Sequence, residues 1–228
     1  MTKIHLRIQY IISSENDNSL YIINLKDMVN NFDKIIDLLE FPSFDDDWFY
    51  FIQLLQRKKE HPELGSNSRL VKSYYIKSIE QLENLKDEII GLCEFYNARA
   101  YIHLQPRSFY QCTMQMYKSL TEHVLQPDYT HTYHIWDSIC GQFGTGGKRW
   151  VVDVDLVDLE KYGVTVNDVV DFIETLEHKP SDVHTVMEVL PTKNGYHIIS
   201  HAFNSKKFGD KFPDIQIQKN NPTLLYIP

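Results

Sequence analysis

The sequence predicts a mixed α+β fold, an expectation that rests on three observations. Apolar residues recur with helical spacing from Ser78 to Tyr96, where Ile79, Leu82, Leu85, Ile89, Ile90, Leu92 and Cys93 share a face. Short apolar runs are set off by glycine and proline turns: Tyr196 to Phe203 follows Pro191-Thr192-Lys193-Asn194-Gly195, so His184 to Leu190 and Tyr196 to Phe203 read as a hairpin. Trp150 to Asp158 places apolar residues before, between and after its aspartates, as a buried strand with an acidic end would.

The other elements follow in chain order. Residues 4–12 alternate imperfectly and suggest a strand, and Leu20 to Asn24 suggests a second. Leu25 to Glu40 has a helical rhythm through Leu25, Met28, Val29, Phe32, Ile35, Ile36, Leu38 and Leu39, ended by Pro42. Aromatic and β-branched residues favour a strand over Trp48 to Gln56. Asp45, Asp46 and Asp47 before it suit a helix cap as well as a metal. His61 to Ser68 is a loop and Leu70 to Ile76 a returning strand, making a hairpin with a basic loop. Ala98 to Leu104 reads as a strand, Tyr110 to Leu125 as a helix broken by Pro127, and His131 to Ile139 as helical. A helix opens at Val164-Thr165-Val166-Asn167-Asp168 and runs to about Leu176. Asn204 to Gly209 is a short helical turn, and Pro213 to Ile217 and Leu224 to Ile227 are the closing strands. There is no internal repeat or low-complexity segment.

At 228 residues, 43% hydrophobic and 24% charged, the chain is long enough to bury a real core. No run approaches the roughly 18 apolar residues of a membrane span, and the first residues lack the apolar core of a signal peptide. Cys93, Cys112 and Cys140 have no CxxC spacing and fit free thiols in a reducing compartment. A cytoplasmic protein without a membrane partner is therefore expected. The formal charge of -8 argues against coating nucleic acid by bulk electrostatics. It leaves room for a local basic groove, with Arg57-Lys58-Lys59, Arg69 to Lys72, Lys148-Arg149 and Lys206 to Lys211 as sources of charge.

On a strand, Asp153 and Asp155 point the same way. Two adjacent carboxylates repel, and a divalent cation with a preference for oxygen, Mg2+ or Mn2+, keeps both ionised. The bland alternative is a solvated strand edge. Asp158, of the opposite parity, reads as the strand's end or a helix cap. Gly141 to Lys148 resembles a phosphate loop but fails the pattern: Gln142 stands where glycine is needed and Arg149 where Ser or Thr is. His131, His134 and Cys140 have tolerable zinc spacing but no evident fourth ligand. Tyr74, Tyr75, Phe109 and Tyr110 could stack on bases, though aromatic packing is the commoner role.

Three elements stand in order: Asp153-x-Asp155; Pro191-Thr192-Lys193-Asn194-Gly195-Tyr196-His197; and Asp214 followed by Thr223-Leu224-Leu225-Tyr226-Ile227-Pro228. In this order the chain resembles the archaeo-eukaryotic primase superfamily, the primase–polymerase catalytic domains common in phages and mobile elements. That family carries a strand-borne D-x-D, a turn-borne motif ending in histidine, and a strand aspartate. The resemblance covers roughly residues 98–228. It departs from the family in having no serine in the second motif, where Thr192 begins the turn.

The resemblance implies an RRM-like antiparallel sheet as catalytic core over residues 98–228, with a smaller N-terminal α/β lobe over residues 1–97 or both in one domain. It implies Mg2+ or Mn2+ on Asp153, Asp155 and Asp214. It assigns the incoming nucleoside triphosphate to Thr192, Lys193, Asn194 and His197, with Arg107 as an upstream basic contact. It further implies a single-stranded DNA or RNA template, a replicative helicase as a candidate partner, and a bacterial or phage-infected host cell. Rival expectations are a polymerase-β-like nucleotidyltransferase, against which Gly146-Gly147 lies too close to Asp153; a non-catalytic nucleic-acid-binding module on the same fold; and a protein-interaction domain.

Overall fold

The computed structural model describes residues 11–12, 21–22, 28–41, 47–65, 67–125, 132–144, 149–176 and 184–228. Among them the strands are β1 (Ile11–Ile12), β2 (Tyr21–Ile22), β3 (Val29–Asn30), β4 (Trp48–Gln56), β5 (Arg69–Ile76), β6 (Arg99–Ile102), β7 (Arg107–Ser108), β8 (Trp150–Asp155), β9 (Val186–Pro191), β10 (Gly195–Ser200), β11 (Gln216–Gln218) and β12 (Thr223–Ile227). The helices are α1 (Phe32–Leu38), α2 (Ile79–Tyr96), α3 (Phe109–Leu125), α4 (Ile135–Gln142), α5 (Leu156–Tyr162), α6 (Val166–Thr175) and α7 (Ser205–Lys211), with a 3-10 turn at Thr132–His134. The fold is mixed α+β with antiparallel sheets, as expected.

A larger sheet has the order β3-β12-β6-β4-β5, with β7 on β4; a four-stranded sheet has the order β11-β8-β10-β9. β1 and β2 pair with each other. The expected hairpins are present as β4–β5 and β9–β10. α2 begins where Ser78 accepts a hydrogen bond from the Gln81 N–H at 3.1 Å and ends at Asn97, whose φ of 46° takes the left-handed turn that asparagine tolerates. Thr165 and Asp168 form a capping box at the start of α6. Asp47 does cap a helix, although a distant one: its carboxylate accepts from the Tyr110 N–H at 2.7 Å and from the Ser108 hydroxyl at the start of α3. Tyr75 and Phe109 pack with Phe49 and Trp136, so for these two the packing role holds, while Tyr110 is exposed.

Period-two patterning sorts β8 into two faces. Val152 and Val154 pack with Val169, Ile173, Phe208 and Phe212 beneath α6 and α7. Val151, with Leu190 and Ile199, joins the core that α1 and α2 share with the larger sheet. Along that second face burial falls from Val151 to a half-buried Asp153 and an exposed Asp155. The carboxylates thus stand where the apolar packing gives out.

Two expectations need correction. The helix expected over residues 25–40 spans only Phe32–Leu38, because Val29 and Asn30 pair with Ile227 and Tyr226 in the sheet; residues 25–27 lie outside the described residues. The strand expected to reach Asp158 stops at Asp155, because the Leu156 N–H donates to the Asn194 carbonyl at 2.9 Å and α5 begins there, with Asp158 in its first turn. Around residue 97, where either a separate lobe or one domain is expected, β6 lies between β4 and β12, so the larger sheet is built from both sides of that point.

Candidate active site

β8 and β10 pair antiparallel, with His197 directly opposite Asp153 and Gly195 opposite Asp155. His197 therefore lands beside the first aspartate on the same face. Its Nε2 lies 3.4 Å from Asp153 Oδ1, and its Nδ1 lies 2.8 Å from the Thr223 hydroxyl on β12. With Nε2 facing a carboxylate, the Thr223 O–H donates to Nδ1, so the ring is held from both sides. Gly195 is demanded by the close approach of the strands. A Cβ there would stand 2.0 Å from the Val154 carbonyl oxygen and 2.8 Å from Asp155 Cα. The turn before it is closed by the Thr192 N–H donating to the Gly195 carbonyl at 2.9 Å.

These side chains line a cleft of about 590 Å³ that also receives Arg57, Lys59, Glu60, Ser68, Arg99, Tyr101, Gln218 and Leu224. One wall is Asp153, Asp155, His197 and the Thr192-Lys193-Asn194 turn; the other comes from β4, the loop after it, β6 and β12. Burial, with Asp153 and Asp158 nearby, raises the Asp155 carboxyl above the ordinary range, against smaller opposing pulls from His197 and Lys59. A carboxylate left under-compensated in this way is what a cation binds. The donor set of two hard carboxylate oxygens suits Mg2+ or Mn2+ completed by phosphate oxygens and water. Among the described residues no group of three or more His, Cys, Asp or Glu side chains is arranged to hold a metal ion by itself.

Of the residues singled out from the sequence, the structure brings Asp153, Asp155, Thr192, Lys193, Asn194 and His197 to this cleft. It does not bring Asp214 or Arg107. Asp214, just before β11, accepts from Lys161 Nζ at 2.6 Å and from the Tyr162 hydroxyl, and these partners hold its carboxyl below the usual range. The residue of β11 that bonds to Asp153 is Gln218, whose Nε2 donates to Asp153 Oδ2 at 3.2 Å. Arg107 is fully buried. Its guanidinium donates to the Cys140 carbonyl at 2.8 Å, the Gln105 carbonyl and His103 Nδ1 at 2.8 Å. Burial, then the Arg107 charge, brings the His103 imidazole down to about 3, so it is neutral and accepts that bond. Arg107 thus spends its donors on the chain's own acceptors, away from the cleft.

In the zinc pattern, His131 lies outside the described residues, while Cys140 is a buried free thiol packed in one core cluster with Cys112. A second cavity of about 440 Å³ between α3 and α4, lined by Lys118, His123 and His134 among others, receives His134 of the zinc pattern but none of the residues assigned to the metal or the nucleotide. Sequence reasoning missed Glu60, Arg99, Gln218 and Thr223. The adjoining Arg57-Lys58-Lys59 cluster is a partial signal for Glu60; nothing local marks the other three. The chain was compared with family models, with curated proteins and with solved structures, and nothing matched in any of the three.

Proposed function

We propose that the chain catalyses metal-dependent nucleotidyl transfer from nucleoside triphosphates on a nucleic-acid template, in the manner of primase–polymerases. The observation that carries this reading is the convergence on one cleft of Asp153, Asp155 and His197 with the Lys193 turn, facing Arg57, Lys59 and Arg99. The same convergence supports the resemblance to that superfamily on a smaller residue set, without Asp214 and Arg107.

Asp153 and Asp155 would hold Mg2+ or Mn2+. When bound, the ion supplies charge neutralisation at the phosphates and a lowered pKa for the attacking hydroxyl. The residues of the chain do the remainder. Lys193 and the turn amides orient the triphosphate. His197, fixed by Thr223, presents its Nε2 edge beside Asp153 to a phosphate oxygen. Arg57 and Lys59 draw a polyanion to the opposite wall. In-line attack of a 3′-hydroxyl on the α-phosphate then releases pyrophosphate.

A second reading, a nucleic-acid-binding module without catalysis, is favoured by one observation: an amide, Gln218, rather than a third carboxylate, contacts Asp153. Binding of labelled ATP and dATP with and without Mn2+, followed by primer extension, separates the two. The catalytic reading expects metal-dependent binding and extension, both lost in Asp153→Ala/Asp155→Ala. Nucleic-acid binding without extension in the wild type would leave the module reading. On partners and location, no helix among the described residues is long and apolar enough to cross a membrane.

A further inference from the structure

Among the described residues of the basic wall, Glu60 alone carries a charge that opposes the proposed ligand. It sits in a turn fixed by its own backbone: the Glu60 and His61 N–H groups both donate to the Arg57 carbonyl, at 2.9 and 3.0 Å. The next residue secures that turn, since His61 lies with Nε2 2.7 Å from the Asn97 carbonyl and Nδ1 2.9 Å from Glu63. The Glu60 carboxylate is therefore presented rather than free to swing. It takes a two-pronged contact from Arg99, with Nε donating to Oε2 at 2.9 Å and the second nitrogen to Oε1. Lys193 Nζ stands 3.6 Å from the same Oε1. Burial would raise this carboxyl, but Arg99, Lys193 and Arg57 together hold it below the usual range. The point where Arg99 and Lys193 converge, with Arg57 lining the same cleft, is thus filled by the chain's own anion.

We infer that Lys193, on a cleft shared with Arg57, serves a phosphate subsite that Glu60 blocks in the free protein, and that an incoming phosphate takes Lys193 from Glu60 while Arg99 keeps it. The two cation contacts differ in the way this exchange requires. Arg99 is nearly buried and bound through two nitrogens, whereas the Lys193 side chain is 39% exposed and held at a longer distance. Arg99 stays with Glu60; Lys193 turns to the ligand. Glu60 is then a positioning residue that acts through Lys193, weakening phosphate binding and keeping the loop after β4 tied to the β9–β10 turn until a ligand arrives. The inference rests on the proposed phosphate-binding role of this cleft and adds its regulation.

The test is calorimetric binding of inorganic tripolyphosphate, without metal, to the wild type, Glu60→Gln, Lys193→Ala and the double variant. Glu60→Gln keeps an acceptor for Arg99 and removes the charge. The expected result is binding roughly two- to fivefold tighter in Glu60→Gln, the range of an exposed ion pair, with no gain when Lys193 is already absent. Glu60→Asp, which retains the charge for Arg99 but shortens the reach to Lys193, should fall between wild type and Glu60→Gln. It carries the same test if Glu60→Gln does not fold. Unchanged or weaker binding in both Glu60 variants, an equal gain with and without Lys193, or no binding to any variant would overturn the inference. Nucleotide incorporation by the wild type, lost in Asp153→Ala, is measured separately. Incorporation without a Glu60 effect rejects the subsite and keeps the catalytic reading; a Glu60 effect without incorporation does the reverse.

Discussion

Asp155 and Asp214 are both exposed aspartates near the ends of short strands in one sheet, yet their surroundings are opposite. Asp214 is answered at once by Lys161 and the Tyr162 hydroxyl, and its carboxyl is held low. The Asp155 carboxyl is raised, first by its partial burial and then by Asp153 and Asp158, against smaller opposing pulls from His197 and Lys59. A carboxylate that the fold has already neutralised has little left for a metal. One that the fold leaves repelled by its neighbours is where a cation gains most. Compensation of charge, more than residue type or strand position, separates the two.

The largest expected effect breaks or keeps this contrast directly. Asp153→Ala should lower nucleotide incorporation on the order of 100-fold or more, whereas Asp214→Asn should stay within about threefold of wild type. A loss at Asp214 as large as that at Asp153 would return the third aspartate to the site. Next comes the packing that delivers Asp155 to the cleft. Gly195→Ala puts a Cβ against the Val154 carbonyl, so denaturant unfolding should show a loss of roughly 1–3 kcal/mol, and metal-dependent binding should weaken with it. Smaller again is Thr223→Val, which removes the hydroxyl that orients His197. A hydrogen bond is worth about 1 kcal/mol, so the expected result is triphosphate binding weakened by roughly fivefold, with the fold intact by circular dichroism.

The smallest effect is read in stability against pH. The Asp155 carboxyl is raised in the folded state, so its ionisation penalises the fold, and stability drawn from it falls as pH rises from the ordinary Asp value of about 3.9 through the raised one. Asp214 has the opposite sign: its depressed carboxyl contributes stability that is present above the unfolded value and lost as pH falls through the folded one. Asp155→Asn should therefore be more stable than wild type at pH 7 and lose that advantage toward pH 3. Asp214→Asn should be less stable at pH 7 and converge with wild type in acid. Added Mn2+ should raise the wild-type melting temperature but not that of Asp155→Asn.

The features legible in the sequence are those set by short-range periodicity. Strand parity puts Asp153 and Asp155 on one face, and the glycine turn marks the β9–β10 hairpin with His197 just beyond it; that His197 falls opposite Asp153 is decided by the pairing of β10 with the distant β8. Helical spacing and a serine cap mark α2 over Ile79–Tyr96. The misreadings arise where a distant strand or side chain decides the outcome. Val29 and Asn30 carry a helical pattern but pair with the last strand, because β12 needs a neighbour at that edge. Arg107 looks like a free basic contact beside a proline, yet β7 pairing on β4 draws it under α4, where backbone carbonyls take its donors. The sequence by itself determined the acidic strand, the glycine turn and the histidine after it, since each depends on neighbours within a few residues. Only the tertiary structure decided which charges remain uncompensated. Asp214 meets its lysine across 53 residues and Glu60 its arginine across 39, and Coulomb attraction follows separation in space, not along the chain.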